Sequence, residues 1–206
     1  MLIAHLVPGY FVAAKVKQNH VAEWNTAQQT LMWSVALGSS IAPDLDVVRN
    51  FLFRGFFNHS TLWTHSIFVY LGFALLWLGC RKSRKLAYSA MLMGIIAVGG
   101  LSHLVLDLVA HGTPLFYPVS MIGFGIAPQR VVEGGVWAYL TDPIFLLEPL
   151  LIGIAVCHWI CHRESVPLKI RKLLSIVVAC GILAFALAFV VFLPGLQRAV
   201  LPFLPV

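Results

Sequence analysis

Leu86–Val109 reads LAYSAMLMGIIAVGGLSHLVLDLV, an apolar run that carries a histidine and an aspartate toward its end. A helix needs roughly 20 apolar residues to cross a hydrocarbon core of about 30 Å, so the run predicts a membrane span. His103 and Asp107 are the exceptions inside it. Four residues apart, they stand one above the other on a single helix face. A carboxylate within a span costs about 2.5–3.5 kcal/mol by insertion scales and marks a functional site by default. Histidine and aspartate on one face are also how a helix presents two ligands to a divalent metal.

The rest of the chain has the same character. Of 206 residues, 60% are hydrophobic and 11% charged, and mean hydropathy is +0.89, whereas soluble domains carry about 25% charged residues. The expected fold is therefore an all-α, polytopic transmembrane helical bundle of about five or six membrane helices. Residues 1–206 would form a single integral membrane domain, with no room for a soluble domain of ordinary size. Spans are expected at Trp24–Ala42, Leu62–Cys80, Leu86–Val109, Val136–Cys157 and Leu173–Leu193, the last bounded by Lys172 and Pro194. Leu2–Ala14 is too short for a clear span and reads as a short helix packed in the bundle.

The net charge of +6 does not point to nucleic acid, because the basic residues fall in short clusters between apolar runs. Cys80, Cys157, Cys161 and Cys180 lie in or beside apolar runs and read as thiols, not as a disulfide framework. The amino terminus has no basic n-region or cleavage site of a removable signal.

Orientation follows from Lys and Arg. Placing Lys15, Lys17, the Arg81–Lys85 cluster, Arg163, Lys169, Arg171 and Lys172 in the cytoplasm collects ten of the fourteen basic residues there, as the positive-inside rule asks. That topology puts His5, Asp44, Asp46, His65, His103, Asp107 and Asp142 at one outer membrane face. The placement used only Lys and Arg, so the convergence is independent of it.

Seven candidate ligands exceed the three protein ligands of a catalytic zinc. They suit two or more divalent metal ions, and four aspartates at one site would call for such charge balance. A mixed His and Asp shell suits zinc, with manganese as the alternative, better than calcium. The reaction class implied is metal-assisted hydrolysis. Each residue also has a structural reading. His103 can bridge helices, Asp44 and Asp46 can shape a turn, and Asp142 before Pro143 can cap a helix.

Cys157-His158-Trp159-Ile160-Cys161-His162 has thiols and imidazoles at helical spacing and is a second, weaker metal candidate. Glu148 lies within a span, on a different face from Asp142. The glycine-rich segment Ala110–Gly135 reads either as a mobile lid or as an ordinary connection. Neither a Gly-x-Ser-x-Gly elbow nor a P-loop is present.

At His5, Pro43-Asp44-Leu45-Asp46, Thr64-His65-Ser66, Ser102-His103-Leu104-Val105-Leu106-Asp107, Gly112-Thr113-Pro114-Leu115, Pro118-Val119-Ser120 and Asp142-Pro143, the chain resembles the bacterial membrane-bound metal-dependent hydrolase family of small inner-membrane proteins. The segments occur in order along most of the chain. His59 is displaced by one residue from that family's usual histidine, and His111 has no counterpart. The family is distantly similar to zinc-dependent phospholipase C. That likeness implies that His103 and Asp107 are ligands, joined by His5, His65 and an aspartate of the Pro-Asp-x-Asp loop, and that the reaction is phosphoester hydrolysis.

The expectation is thus an inner-membrane, multi-pass hydrolase acting on an ester or phosphoester at the outer face. Membrane lipids and a small-molecule or lipid substrate are the expected partners. A metal-ion or proton transporter using the same residues is the rival. A protein whose metal only staples helices is a third reading.

Overall fold

In the computed structural model, residues 3–20, 24–54, 62–110, 112–126, 140 and 142–200 are described. Among them are seven α-helices: α1 (Leu6–His20), α2 (Thr26–Ile41), α3 (Leu45–Arg54), α4 (Ile67–Cys80), α5 (Ala87–Ala110), α6 (Leu147–Cys161) and α7 (Leu168–Val200). Short 3-10 turns cover Ala42–Asp44, Leu62–His65, Arg84–Leu86 and Pro143–Leu146. The described residues hold no β-strand, only an isolated bridge between Thr113 and Phe124. The all-helical expectation holds.

The chain groups into two compact units. The first, residues 4–130, contains α1 to α5. In it α2 packs against both α1 and α5, and α4 packs against α5. Small residues allow the approach, as is usual where helices associate without a hydrophobic drive between them. A Cβ on Gly9 would meet the Ala36 carbonyl, one on Gly99 the Ser39 side chain, and one on Gly100 the Tyr70 ring. Ala13, Met32, Ala36 and Ile95 form the buried apolar centre.

Helix starts follow local chemistry. Asn25 and Gln28 form a reciprocal capping box at α2, satisfying two amide donors that no helical carbonyl reaches. The Ser66 hydroxyl accepts the Phe68 N–H at 3.3 Å and caps α4. The Leu62–Cys80 run is therefore split. Its first residues form the 3-10 turn Leu62–His65, and α4 proper begins at Ile67. A hydropathy window does not register the break, because Leu62 and Trp63 are as apolar as the helix that follows.

The second unit comprises Ile3 and residues 131–206 and contains the packed pair α6 and α7. Gly153 of α6 leaves space that the Ile182 side chain of α7 fills. The Phe145 ring lies 5.9 Å from that of Phe189. Helix α7 runs past the sequence boundary at Pro194 and reaches Val200. Its large apolar side chains, among them Leu173, Ile176, Leu183, Leu187 and Val190, are exposed, which suits a hydrocarbon solvent.

Three helical stretches among the described residues are long and apolar enough to cross a membrane: Arg84–Ala110, Pro143–Cys161 and Leu168–Gly195. Ile67–Cys80 is apolar but shorter. The chain is a helical membrane protein.

Candidate metal centre

Four local structures of the first unit bring five side chains together. His5 stands in the turn before α1, Asp44 ends the Ala42–Asp44 turn, and His65 ends the Leu62–His65 turn. His103 and Asp107 come from consecutive turns near the end of α5. All five are buried, and His5, His103 and Asp107 have no exposed surface.

Their polar atoms converge. His103 Nε2 lies 3.1 Å from Asp107 Oδ2 and 3.4 Å from Asp44 Oδ1. His65 Nε2 is 3.7 Å from each of the same two oxygens. His5 Nε2 is 3.3 Å from Asp107 Oδ1. The His5 and His103 rings are 3.9 Å apart, centre to centre. Asp44, His65, His103 and Asp107 each place one ligand atom within 4.8 Å of the others.

The other ring nitrogens explain why the Nε2 atoms point inward. His103 Nδ1 is 2.8 Å from the Ser40 carbonyl, which can only accept, so Nδ1 carries the proton. His5 Nδ1 is 3.0 Å from Asp44 Oδ2 and donates to it. The Thr64 hydroxyl donates to the Pro43 carbonyl at 3.4 Å, leaving its oxygen to accept from His65 Nδ1 at 3.3 Å. With every Nδ1 protonated, each neutral ring presents a bare Nε2 lone pair to the centre.

Three lone pairs thus face two carboxylates, acceptor against acceptor, in a buried space. His5 Nε2 and His103 Nε2 make no hydrogen bond of acceptable geometry there. Burial acts to raise the Asp44 carboxyl, while the His5 Nδ1–H donated to Oδ2 favours its ionised form. Either a proton on Nε2 or a cation between the donors would relieve this opposition, and the donor set is one that could hold a metal ion. Around zinc, with bonds of about 2.0–2.1 Å in a tetrahedral shell, neighbouring donors stand about 3.3 Å apart. The closest Nε2–Asp pairs, 3.1 to 3.7 Å apart, are near that value, while the four-residue donor set as a whole spreads to within 4.8 Å. Orienting partners on the far nitrogen are the usual second layer of a histidine metal site.

Of the seven residues expected at the site, His5, Asp44, His65, His103 and Asp107 are together. Asp46 lies in α3, with its side chain outside the described residues. Asp142 belongs to the second unit. There its Oδ1 accepts the Ile144 N–H at 2.8 Å, capping the Pro143–Leu146 turn, as its structural reading anticipated. His59 and His111 lie outside the described residues.

The Cys157–His162 segment closes no donor cluster among the described residues. Its thiols approach Ser175, Cys157 Sγ at 3.8 Å from the carbonyl and Cys161 Sγ at 3.6 Å from the hydroxyl. The His158 and His162 rings stack 4.1 Å apart. Glu148 is buried and accepts the Ile3 N–H at 3.2 Å.

Sequence reading missed the orienting residues. The Ser40 partner is a backbone carbonyl and leaves no trace in side-chain identity. Thr64 stands beside His65 in the sequence, but residue type alone does not mark its hydroxyl as the partner of Nδ1. Tyr70 is buried and donates to the Thr64 carbonyl at 2.6 Å, fixing the turn that aims His65.

The segment after α5 is fastened near the centre. The Ile67 N–H donates to the Leu115 carbonyl and the Ile126 N–H to the Leu108 carbonyl, while the Ser66 hydroxyl donates to the Tyr117 carbonyl at 2.6 Å. Residues 112–126 are thus hydrogen-bonded to the start of α4 and to α5, and residues 127–135 of the glycine-rich segment lie outside the described residues.

Fold and site together define a helical membrane protein with a buried His/Asp cluster able to hold a metal ion. The family model of the YdjM inner membrane protein matches residues 1–194, and the chain belongs to that family. No curated protein and no solved structure matches the chain.

Proposed function

We propose that this protein is a membrane-embedded metal-dependent hydrolase acting on an ester or phosphoester at the outer face of the inner membrane. The observation that carries the reading is the set of three Nε2 atoms turned on two buried carboxylates, each ring held by a partner on Nδ1. Nε2 of His5, His65 and His103, with Asp44 and Asp107, would hold the ion. The two carboxylates carry the charge that one divalent ion neutralises. A second ion would need Asp46 or Asp142. Zinc fits the mixed nitrogen and oxygen set, and manganese is the alternative.

A bound divalent ion supplies Lewis acidity toward a carbonyl or phosphoryl oxygen and lowers the pKa of water. The chain's residues do the positioning. The Ser40 carbonyl, the Thr64 oxygen and Asp44 Oδ2 fix the three rings, and Tyr70 fixes Thr64. The surroundings support a substrate at the bilayer surface. Leu45, Val48 and Leu52, at helical spacing on α3 directly after Asp44, are exposed, as are Val119, Met121 and Ile122 in the loop beyond α5. An apolar stripe of this kind beside a membrane site favours lying in the interface.

The transport reading needs ionisable groups through the membrane depth. In the first unit the His/Asp set is confined to one end of α5, which favours hydrolysis. Turnover of a chromogenic phosphodiester and of phospholipid by detergent-purified protein tests the proposal. Turnover that is lost with chelator and restored by zinc or manganese supports it. A metal-loaded protein inert on ester and phosphoester panels, but moving metal ions into sealed vesicles, would replace it with the transporter.

A further inference from the structure

The first unit carries a second feature at the opposite end of α5, about 18 Å along the helix from His103 at Met91. A cavity of about 210 Å³ opens there, lined by Trp24, Trp77, Arg81, Tyr88, Ala90 and Met91 among others. We propose that this groove is a binding site for an anionic phospholipid, with the headgroup phosphate on Arg81 and part of an acyl chain in the cavity.

The lining has the two parts such a ligand needs. Trp24 and Tyr88 meet edge to face, with ring centres 5.2 Å apart. The Tyr88 hydroxyl donates to the Gln28 carbonyl at 2.7 Å, and the Gln29 amide holds the Trp24 carbonyl at 3.0 Å, so hydrogen bonds to α2 tie both residues of this wall. Gly94 leaves the Trp77 ring close against α5. Tryptophan and tyrosine prefer the headgroup level of a bilayer. The volume is below the roughly 300–1,000 Å³ of a pocket that encloses a drug-sized ligand, which suits one segment of a lipid whose remainder lies in the membrane.

Charge selects the headgroup. The Arg81 guanidinium lies 5.3 Å from the centre of the Trp77 ring, within cation–π range. It is exposed and forms no ion pair with any carboxylate among the described residues. Lys82, Arg84 and Lys85 follow it, and the sequence holds no acidic residue between Asp46 and Asp107. Guanidinium matches phosphate in a bidentate fork. Basic clusters beside membrane helices attract anionic lipid by about 1 kcal/mol per residue.

Mass spectrometry of lipid retained by the purified full chain, after exchange into mixed phosphatidylglycerol and phosphatidylcholine, tests the site. Wild type is expected to retain phosphatidylglycerol selectively. Arg81→Gln should cut that retention about fivefold, the equivalent of the ~1 kcal/mol per charge. Ala87→Trp, at an exposed position on the groove's edge, should block it with every charge kept. Equal retention of both lipids by wild type, or unchanged phosphatidylglycerol in both variants, would overturn the proposal. A dimer in wild type that Ala87→Trp dissociates, with lipid retention unchanged, would assign the groove to a second copy instead.

Discussion

His5 and Asp44 are joined by a 3.0 Å contact between Nδ1 and Oδ2, and each turns its remaining polar atom to the same point. His5 Nε2 faces Asp107, while Asp44 Oδ1 faces His65 and His103. Asp44 therefore has two tasks, one per oxygen. It orients one imidazole and stands as a donor beside the other two. Loss of a partner that orients a ligand costs 10–100-fold in metal affinity, and Asp44 also takes part directly. Asp44→Asn is accordingly expected to weaken metal affinity by at least about 100-fold, read by metal titration. Affinity within about threefold of wild type would show that the carboxylate charge is not used.

Thr64 tests the orienting layer by itself. Thr64→Val removes the oxygen that accepts from His65 Nδ1 while keeping the side chain's shape. About a tenfold loss of metal affinity is expected, with Thr64→Ser close to wild type. Equal behaviour of the two variants would remove the hydroxyl from the account.

Packing supports the centre at Gly100. Any Cβ there meets the Tyr70 ring, and Tyr70 in turn holds the Thr64 carbonyl. Gly100→Ala is expected to cost about 1–3 kcal/mol of stability, the range for overpacking, and to lower metal content with it. Tyr70→Phe removes only the hydroxyl, at about 1 kcal/mol. Thermal denaturation in a fixed detergent compares the two, and Gly100→Ala should melt at the lower temperature.

Acid should release the metal through the imidazoles. Metal binding needs an unprotonated Nε2 on each histidine, so protons compete with the metal as pH falls. Asp44 has the opposite sign. A carboxyl depressed in the folded state contributes stability above its unfolded value and loses it only as pH falls through the lower, folded one. Asp44 therefore remains ionised while the rings protonate. Retention should be complete near pH 7.5 and lost before about pH 4. Release seen only below about pH 4 would contradict the role of the rings.

How far the sequence could be read depended on where information sits in a side chain. His103 and Asp107 were legible because their spacing of four follows from helix geometry, and their polarity stands out in an apolar run. His5, Asp44 and His65 were legible because basic residues alone put them at one membrane end. Asp142 shared that end by the same reasoning, and its Oδ1 caps the Pro143–Leu146 turn, the task that Asp before Pro143 also announced. The start of α4 was hidden because Trp63 is as apolar as the helix, although Ser66 was a visible capping signal. Pro194 ends the most apolar window but not the helix. The Ser40 carbonyl could not be read at all, since every residue has one.

The most direct measurement is metal content per chain of detergent-purified wild type, His103→Ala, Asp107→Ala and the double variant Cys157→Ser/Cys161→Ser. Wild type and the cysteine variant should each hold about one ion per chain, as one zinc with this donor set requires, and both cluster variants should lose it while remaining helical. Little metal in wild type, or undiminished metal in His103→Ala and Asp107→Ala, would contradict a metal centre built by these five residues.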